Sequence, residues 1–265
     1  MTEIPYSIIR EKKLFIFDID GTISLDNRLF KRTKEVFEKL HSQGKFIYLA
    51  TNNSSKLPAH YIGNLARAGL DTEKINLISS LDLSLSYLRE NGMNRIYPAA
   101  NETVLNYIIE NGFAIDGANP DAILLTYDTE LDYKKLLKIT ELLHKNTPYF
   151  ATHTDFVCPT DLGYYVPDIG SFIALISAAT NKLPDKTFGK PEHFAITRAL
   201  TETKQGKKDA IIIGDRLYTD IELANRAGVH SILVLSGETT QEMSDKSLTK
   251  STFVMSNVDE LCDYL

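Results

Sequence analysis

Cysteine is scarce in this chain, and the two present, Cys158 and Cys262, stand far apart with no Cys-x-x-Cys pattern. They read as isolated, reduced thiols, which points to the cytoplasm. No apolar run reaches the ~20 residues of a membrane span. The segment from Met1 to Lys13 lacks the apolar core of a secretion signal. Long basic runs are missing as well. Lys and Arg total 29 against 35 Asp and Glu, for a net charge of −6, which argues against binding a nucleic-acid polymer. No Gly-x-Gly-x-x-Gly follows a strand, so a dinucleotide site has no support. There is no heptad array, low-complexity tract or linker run, so a second domain would be inserted and tightly tethered. What remains is ordinary globular composition, 43% hydrophobic and 24% charged, over 265 residues. That length suits one large α/β domain or two.

The most informative stretch is Leu14-Phe15-Ile16-Phe17-Asp18-Ile19-Asp20-Gly21-Thr22. Four apolar residues in a row read as a strand buried on both faces. The strand runs into two aspartates, which are costly to desolvate without compensation. Ligands of an open parallel sheet bind at the carboxyl ends of its strands. Asp18 and Asp20 are two apart, so on extended chain both carboxylates face one side. Gly21 permits a sharp exit. A calcium loop is a poor fit, because Gly21 and Thr22 fall at the fourth and fifth positions, where that template wants other residues.

The rest of the chain alternates strand and helix, the pattern of parallel sheets wrapped by helices. Strands are expected at 45–50, 95–97, 122–126, 149–152, 210–213 and 230–235. Helices are expected near 36–40, 58–68, 81–90, 102–110, 133–144, 171–180, 194–200 and 219–227, with a closing helix at 259–265. A long loop, 154–170, carries Pro159 and Pro167 and reads as functional or packed down.

Polar residues recur at strand ends: Asp18 and Asp20, then Thr51-Asn52, then Gly214-Asp215 with Asp220 five residues on; Lys190 precedes a helix. Singly, each has an ordinary reading as a cap, a turn or a surface charge. Together, Asp-x-Asp-Gly-Thr, Thr-Asn-Asn-Ser, Gly-Lys-Pro and Gly-Asp-x-x-x-x-Asp resemble, in type and order, the four motifs of the haloacid dehalogenase-like (HAD) superfamily. The resemblance is closest to the type IIA, NagD-like phosphatases, which place an α/β cap between the second and third motifs. Their cap carries Ala-Thr-Asn-Pro-Asp, a proline and a Gly-rich turn. Ala151-Thr152-His153-Thr154-Asp155, Pro159 and Pro167-Asp168-Ile169-Gly170 match in part, with His153, Thr154 and Asp168 differing.

The resemblance implies a Rossmann-like parallel-sheet core at 1–82 and 183–265 and an inserted α/β cap at 83–182. It implies a phosphatase acting on small phosphorylated metabolites of nucleotide or sugar phosphate type; the sequence leaves the oligomeric state open, a homodimer being one candidate. Mg²⁺ would be held by the Asp18 and Asp215 carboxylates and the Asp20 backbone carbonyl. Two carboxylates ~4 Å apart repel by about 4 kcal/mol at an effective dielectric near 20, so a convergent cluster needs a cation. All-oxygen donors favour Mg²⁺. By resemblance, Asp18 is the nucleophile, Asp20 the general acid and base, and Asp220 orients Lys190 or the metal shell. Thr51, Asn52 and Lys190 hold the phosphoryl oxygens. An Asp rather than a Thr two residues after the nucleophile resembles enzymes that turn their phosphoenzyme over. Leaving-group selection is expected of His153, Asp155, Tyr164 and Tyr165. A phosphomutase on the same residues and a non-catalytic phospholigand-binding protein are the alternatives.

Overall fold

The structure, a computed structural model, describes residues 5–25, 28–158 and 164–265. Pro159, part of the expected cap turn, lies outside the described residues. The chain forms two compact units. The first runs to Thr51 and includes Ala59–Ile78 and Lys190–Leu265; the second comprises Asn52–Pro58 and Ser79–Gly189. Among the described residues no helix is long and apolar enough to cross a membrane.

Leu14–Phe17 is a strand with every residue buried, because it has neighbours on both edges and side chains packed on both faces. It pairs in parallel with Phe46–Thr51 on one side, Phe15 opposite Ile47. On the other side it pairs in parallel with Ala210–Gly214, Phe15 opposite Ile211. The sheet has six strands, in the order Phe253–Met255, His230–Val234, Ala210–Gly214, Leu14–Phe17, Phe46–Thr51, Ile75–Ser79. The chain builds outward from the central strand in one direction, then returns to build in the other. The switch in direction leaves a crevice at the carboxyl ends of the three central strands. Phe15, Phe17, Phe37, Ile47, Leu49, Ile211 and Ile213 form the core against one face. Helix Thr33–Ser42 contributes Val36, Phe37 and Leu40 from one helical stripe.

The second unit is a five-stranded sheet ordered Lys186–Thr187, Tyr149–Ala151, Ala122–Leu125, Arg95–Ala99, Ala114–Ile115, with every pairing parallel. Ile123, Leu125, Ile139, Leu142, Tyr149, Ile169 and Ile173 make its core with helices Tyr133–His144 and Ile169–Thr180. A short antiparallel ladder joins Val157–Cys158 to Val166–Pro167.

Three departures from the sequence expectation have local causes. The closing segment is a short 3₁₀ turn, Val258–Asp263, capped by the Asn257 side chain accepting from the Asp259 N–H. The expected helix at 219–227 begins as a wide turn, Leu217–Ile221, in which the Ile221 N–H reaches back to Arg216 O at 3.2 Å. Regular α-helix follows only over Glu222–Ala227. Helix Ile169–Thr180 starts two residues early, because Asp168 caps it by accepting from the Ile169 N–H.

Candidate active site

Asp18 follows directly on the central strand, its N–H donating to Ile213 O at 2.8 Å. The next strand over ends in Gly214 and delivers Asp215. The wide turn after it carries Asp220 back toward the same strand ends. Asp18, Asp215 and Asp220 each offer a carboxylate oxygen within 4.8 Å of the others. Lys190 sits among them, its Nζ paired with Asp18 Oδ1 and lying 2.7 Å from Asp220 Oδ1.

Backbone fits tightly around Asp215. Its Oδ2 accepts from the Glu238 N–H at 2.7 Å. A Cβ on Gly21 would lie 2.7 Å from the same oxygen, and one on Gly237 would also collide with it. Gly21 further adopts φ +87°, which side chains resist. Beside the cluster, Arg216 Nε pairs with Glu238 Oε2 at 3.0 Å, so that cation is already matched by an acid.

The electrostatics show a deficit of positive charge. Burial, opposed by Lys190 but reinforced by Asp220 and Asp215, pushes the Asp18 carboxyl up to about 8. Burial and Asp220 push Asp215 up to about 6. Burial alone would lower Lys190, but Asp18 and Asp220 outweigh it and hold the ammonium above its usual range. Lys190 is therefore a fixed cation facing three acids. Asp215 Oδ1 is buried with no hydrogen-bond partner among the described residues. A buried carboxylate oxygen left without a donor fits a hard cation.

Three comparisons with known proteins now bear on this arrangement. Residues 15–114 match the family model for haloacid dehalogenase-like hydrolases, and residues 187–261 match a second, HAD-hydrolase-like model. The 4-nitrophenylphosphatase of Thermotoga maritima is 36% identical, covering 97% of this chain and 98% of its own, with a TM-score of 0.92. The chain belongs to the haloacid dehalogenase-like hydrolases. Its relatives place it in their NagD-like phosphatase branch. The ribonucleotide monophosphatase NagD of Escherichia coli K12 is 25% identical, over 94% of this chain and 98% of that protein. The 5'-nucleotidase YutF of Bacillus subtilis is 24% identical, over 96% and 98%.

In this HAD-like hydrolase the structure brings Asp18, Lys190, Asp215 and Asp220 together. Asp20 is not one of the three carboxylates that meet within 4.8 Å, and it is exposed. Thr51 is buried at the carboxyl end of Phe46–Thr51. Asn52, the next residue, opens the second unit. His153 and Asp155 are buried inside the second unit, whereas Tyr164 and Tyr165 are 61% and 57% exposed. Sequence reasoning missed Gly237 and Glu238, whose backbone holds Asp215. Their signal was available: Ser236-Gly237-Glu238 follows another apolar strand, His230–Val234, at the same edge of the sheet.

Proposed function

We propose that this protein is a Mg²⁺-dependent phosphatase of small phosphate monoesters, of nucleotide or sugar phosphate type, working through an aspartyl-phosphate on Asp18. The observation that carries the reading is the buried, under-neutralised cluster of Asp18, Asp215 and Asp220 around Lys190. A scaffold alone has little use for two buried acids and a partly buried one facing one ammonium.

The Asp18 and Asp215 carboxylates, with the Asp20 backbone carbonyl, would hold the magnesium. Bound there, the ion supplies the positive charge that lets an anionic nucleophile and an anionic phosphoryl group approach. Asp18 attacks phosphorus, and Lys190, already paired with it, favours the ionised carboxylate against the burial that raises its pKa. Thr51, through its hydroxyl, and the Asn52 N–H hold the phosphoryl oxygens as charge shifts onto them. Asp20, exposed where a leaving group and water can reach it, donates a proton to the departing oxygen. It then takes one from the water that cleaves the acyl phosphate. Asp220 fixes the Lys190 ammonium from the other side.

The second unit acts as the cap in this reading. Of the four residues expected to meet the leaving group, Tyr164 and Tyr165 present exposed rings suited to stacking on an organic group. The polar atoms of His153 are engaged within the second unit, by Thr152 and Asp168. The test is phosphate release from a panel of esters with and without Mg²⁺. Release that needs Mg²⁺ and disappears in Asp18→Asn supports the proposal. Release that survives EDTA or that substitution overturns it.

A further inference from the structure

The chain first enters the second unit at Asn52 and last leaves it at Gly189. The residues just outside those two points are Thr51 and Lys190, both of which handle the phosphoryl group in the proposed reaction. A single buried polar cluster holds these first and last crossings from within the second unit. Asn52 Nδ2 donates to both carboxylate oxygens of Asp155, at 3.1 and 3.3 Å. Ser80 Oγ donates to Asn52 O at 2.6 Å. The Gly189 N–H donates to Thr152 O at 2.7 Å. Gly189 is pressed so close that a Cβ there would lie 2.6 Å from Asn52 Oδ1 and 2.6 Å from His153 Cβ. The entry and exit residues are thus packed against each other and against His153.

Around them the hydrogen bonds form a continuous chain. The Tyr127 N–H donates to Ser54 Oγ at 2.8 Å, and the Ser54 and Thr152 hydroxyls share a bond of 2.8 Å. Thr152 Oγ1 lies 3.1 Å from His153 Nδ1. The other ring nitrogen, Nε2, lies 3.1 Å from Asp168 Oδ1. Asp168 also accepts from the Ile169 N–H, locking it to the start of helix Ile169–Thr180. Asn52, Ser54, Thr152, His153, Asp155 and Asp168 are all buried. His153, Asp155 and Asp168 also have the donor types and spacing of a cation site. The bonds just described already engage those atoms within the second unit.

We propose that Asp155 and His153 are positioning residues for phosphoryl transfer. Asp155 sets the Asn52 side chain and with it the Thr51–Asn52 peptide. His153 backs Gly189 and with it the start of Lys190. The proposal rests on the phosphatase reading for the roles of Thr51 and Lys190. In a buried network an unmade bond is costly, and a small displacement at a phosphate contact can cost about a hundredfold in rate.

The experiment measures kcat/KM on several phosphate esters, and the affinity for inorganic phosphate by calorimetry with Mg²⁺ present. The variants are Asp155→Ala, Asp155→Asn and the double change with Asn52→Ala. Asp155→Ala is expected to lower kcat/KM about 10- to 100-fold by the same factor on every ester, and to weaken phosphate binding about tenfold. Asp155→Asn keeps an acceptor for Asn52 Nδ2 and is expected to stay within about threefold of the parent. Adding Asn52→Ala to Asp155→Ala should cost little more, because the first residue acts through the second. Losses that differ from ester to ester would assign Asp155 to leaving-group contact and overturn the proposal. So would lower thermal stability with unchanged phosphate affinity, or additive effects of the two substitutions. Should no ester be hydrolysed by the parent, the phosphatase reading fails, and phosphate affinity still decides the positioning role.

Discussion

Two buried polar clusters in this molecule contain similar residues and have opposite electrostatics. In the first unit, Asp18, Asp215 and Asp220 surround one ammonium, and Asp215 Oδ1 has no donor among the described residues. In the second, Asp155 and Asp168 are met by Asn52, His153 and a helix N–H in a closed set of hydrogen bonds. The first cluster is expensive to maintain, as the elevated Asp18 and Asp215 show. Buried carboxylates alone therefore do not mark a reaction centre. The mark is a buried acid whose partner is missing, since folding then carries a cost that only a ligand relieves.

The largest test of that contrast is the proposed nucleophile. Asp18→Asn removes the oxygen that would attack and is expected to reduce turnover by about 10⁴- to 10⁶-fold. Asp20→Asn keeps its backbone carbonyl and is expected to cost about 10²- to 10⁴-fold. Its loss should be smallest with p-nitrophenyl phosphate, whose leaving group needs little help from a proton. Equal slowing of good and poor leaving groups in the phosphorylation step would remove Asp20 from the acid role.

Next comes the coupling of metal, pH and stability. Asp18 and Asp215 have an ordinary value of 3.8 and are raised to about 8 and about 6 in the fold. Between those values the native protein binds more protons than the unfolded chain. Stability of the metal-free protein must therefore fall as pH rises from about 4 to about 8. Mg²⁺ competes with those protons, so its stabilising effect should grow over the same window. At a free concentration about a hundredfold above Kd it contributes about 2.7 kcal/mol, or about 5–10 °C in Tm for a chain of this size. Thermal melts at pH 5 and pH 8, with Mg²⁺ and with EDTA, check this. An increment from Mg²⁺ that is larger at pH 5 would contradict the assignment.

The closed cluster should respond differently. His153→Leu removes one of the two partners of the Thr152 hydroxyl and one of the two of Asp168 Oδ1, which costs about 1–3 kcal/mol. Tm should fall by several degrees, and Mg²⁺ should add the same increment to variant and parent. A loss that Mg²⁺ repairs would tie His153 to a cation and erase the distinction between the two clusters.

The parts of this molecule legible in sequence are those where one stretch carries its own signal. Leu14–Phe17 is apolar on both faces, and Asp18 follows it directly, so strand and site residue were read together. Helices Glu102–Glu110 and Tyr133–His144 carry their own caps, Asn101 and Asp132, and their limits match the periodicity. Strands Ile75–Ser79 and Phe253–Met255 were missed because their apolar pattern is short or mixed, and their place comes from pairing with distant strands. The wide turn at Leu217–Ile221 was illegible for another reason. It is shaped by Asp220 Oδ2 accepting from the Arg216 N–H at 3.2 Å, a bond that helical periodicity does not encode. The Asn52–Asp155 bond spans 103 residues of sequence, and nothing local announces it.

The smallest effect is expected from the exposed tyrosines, and it separates binding from chemistry. Tyr164 and Tyr165 lie on the surface, and Tyr165 is followed by the short ladder at Val166–Pro167. Being exposed, they support little of the core, so Tyr164→Ala and Tyr165→Ala should shift Tm by no more than about 1–2 °C, as surface substitutions generally stay within about 0.5 kcal/mol. Against an aromatic leaving group a lost stacking contact is worth about 0.5–1.5 kcal/mol, which is roughly a 2- to 12-fold drop in kcat/KM. Against a small aliphatic ester the same change should do almost nothing, because no ring is there to stack. The measurement is the ratio of kcat/KM for a nucleoside monophosphate to that for glycerol phosphate, in parent and variants. A ratio that moves while glycerol phosphate turnover holds assigns these rings to selectivity. A ratio that stays fixed removes them from the site, and leaves the selection of the leaving group to other residues of the second unit.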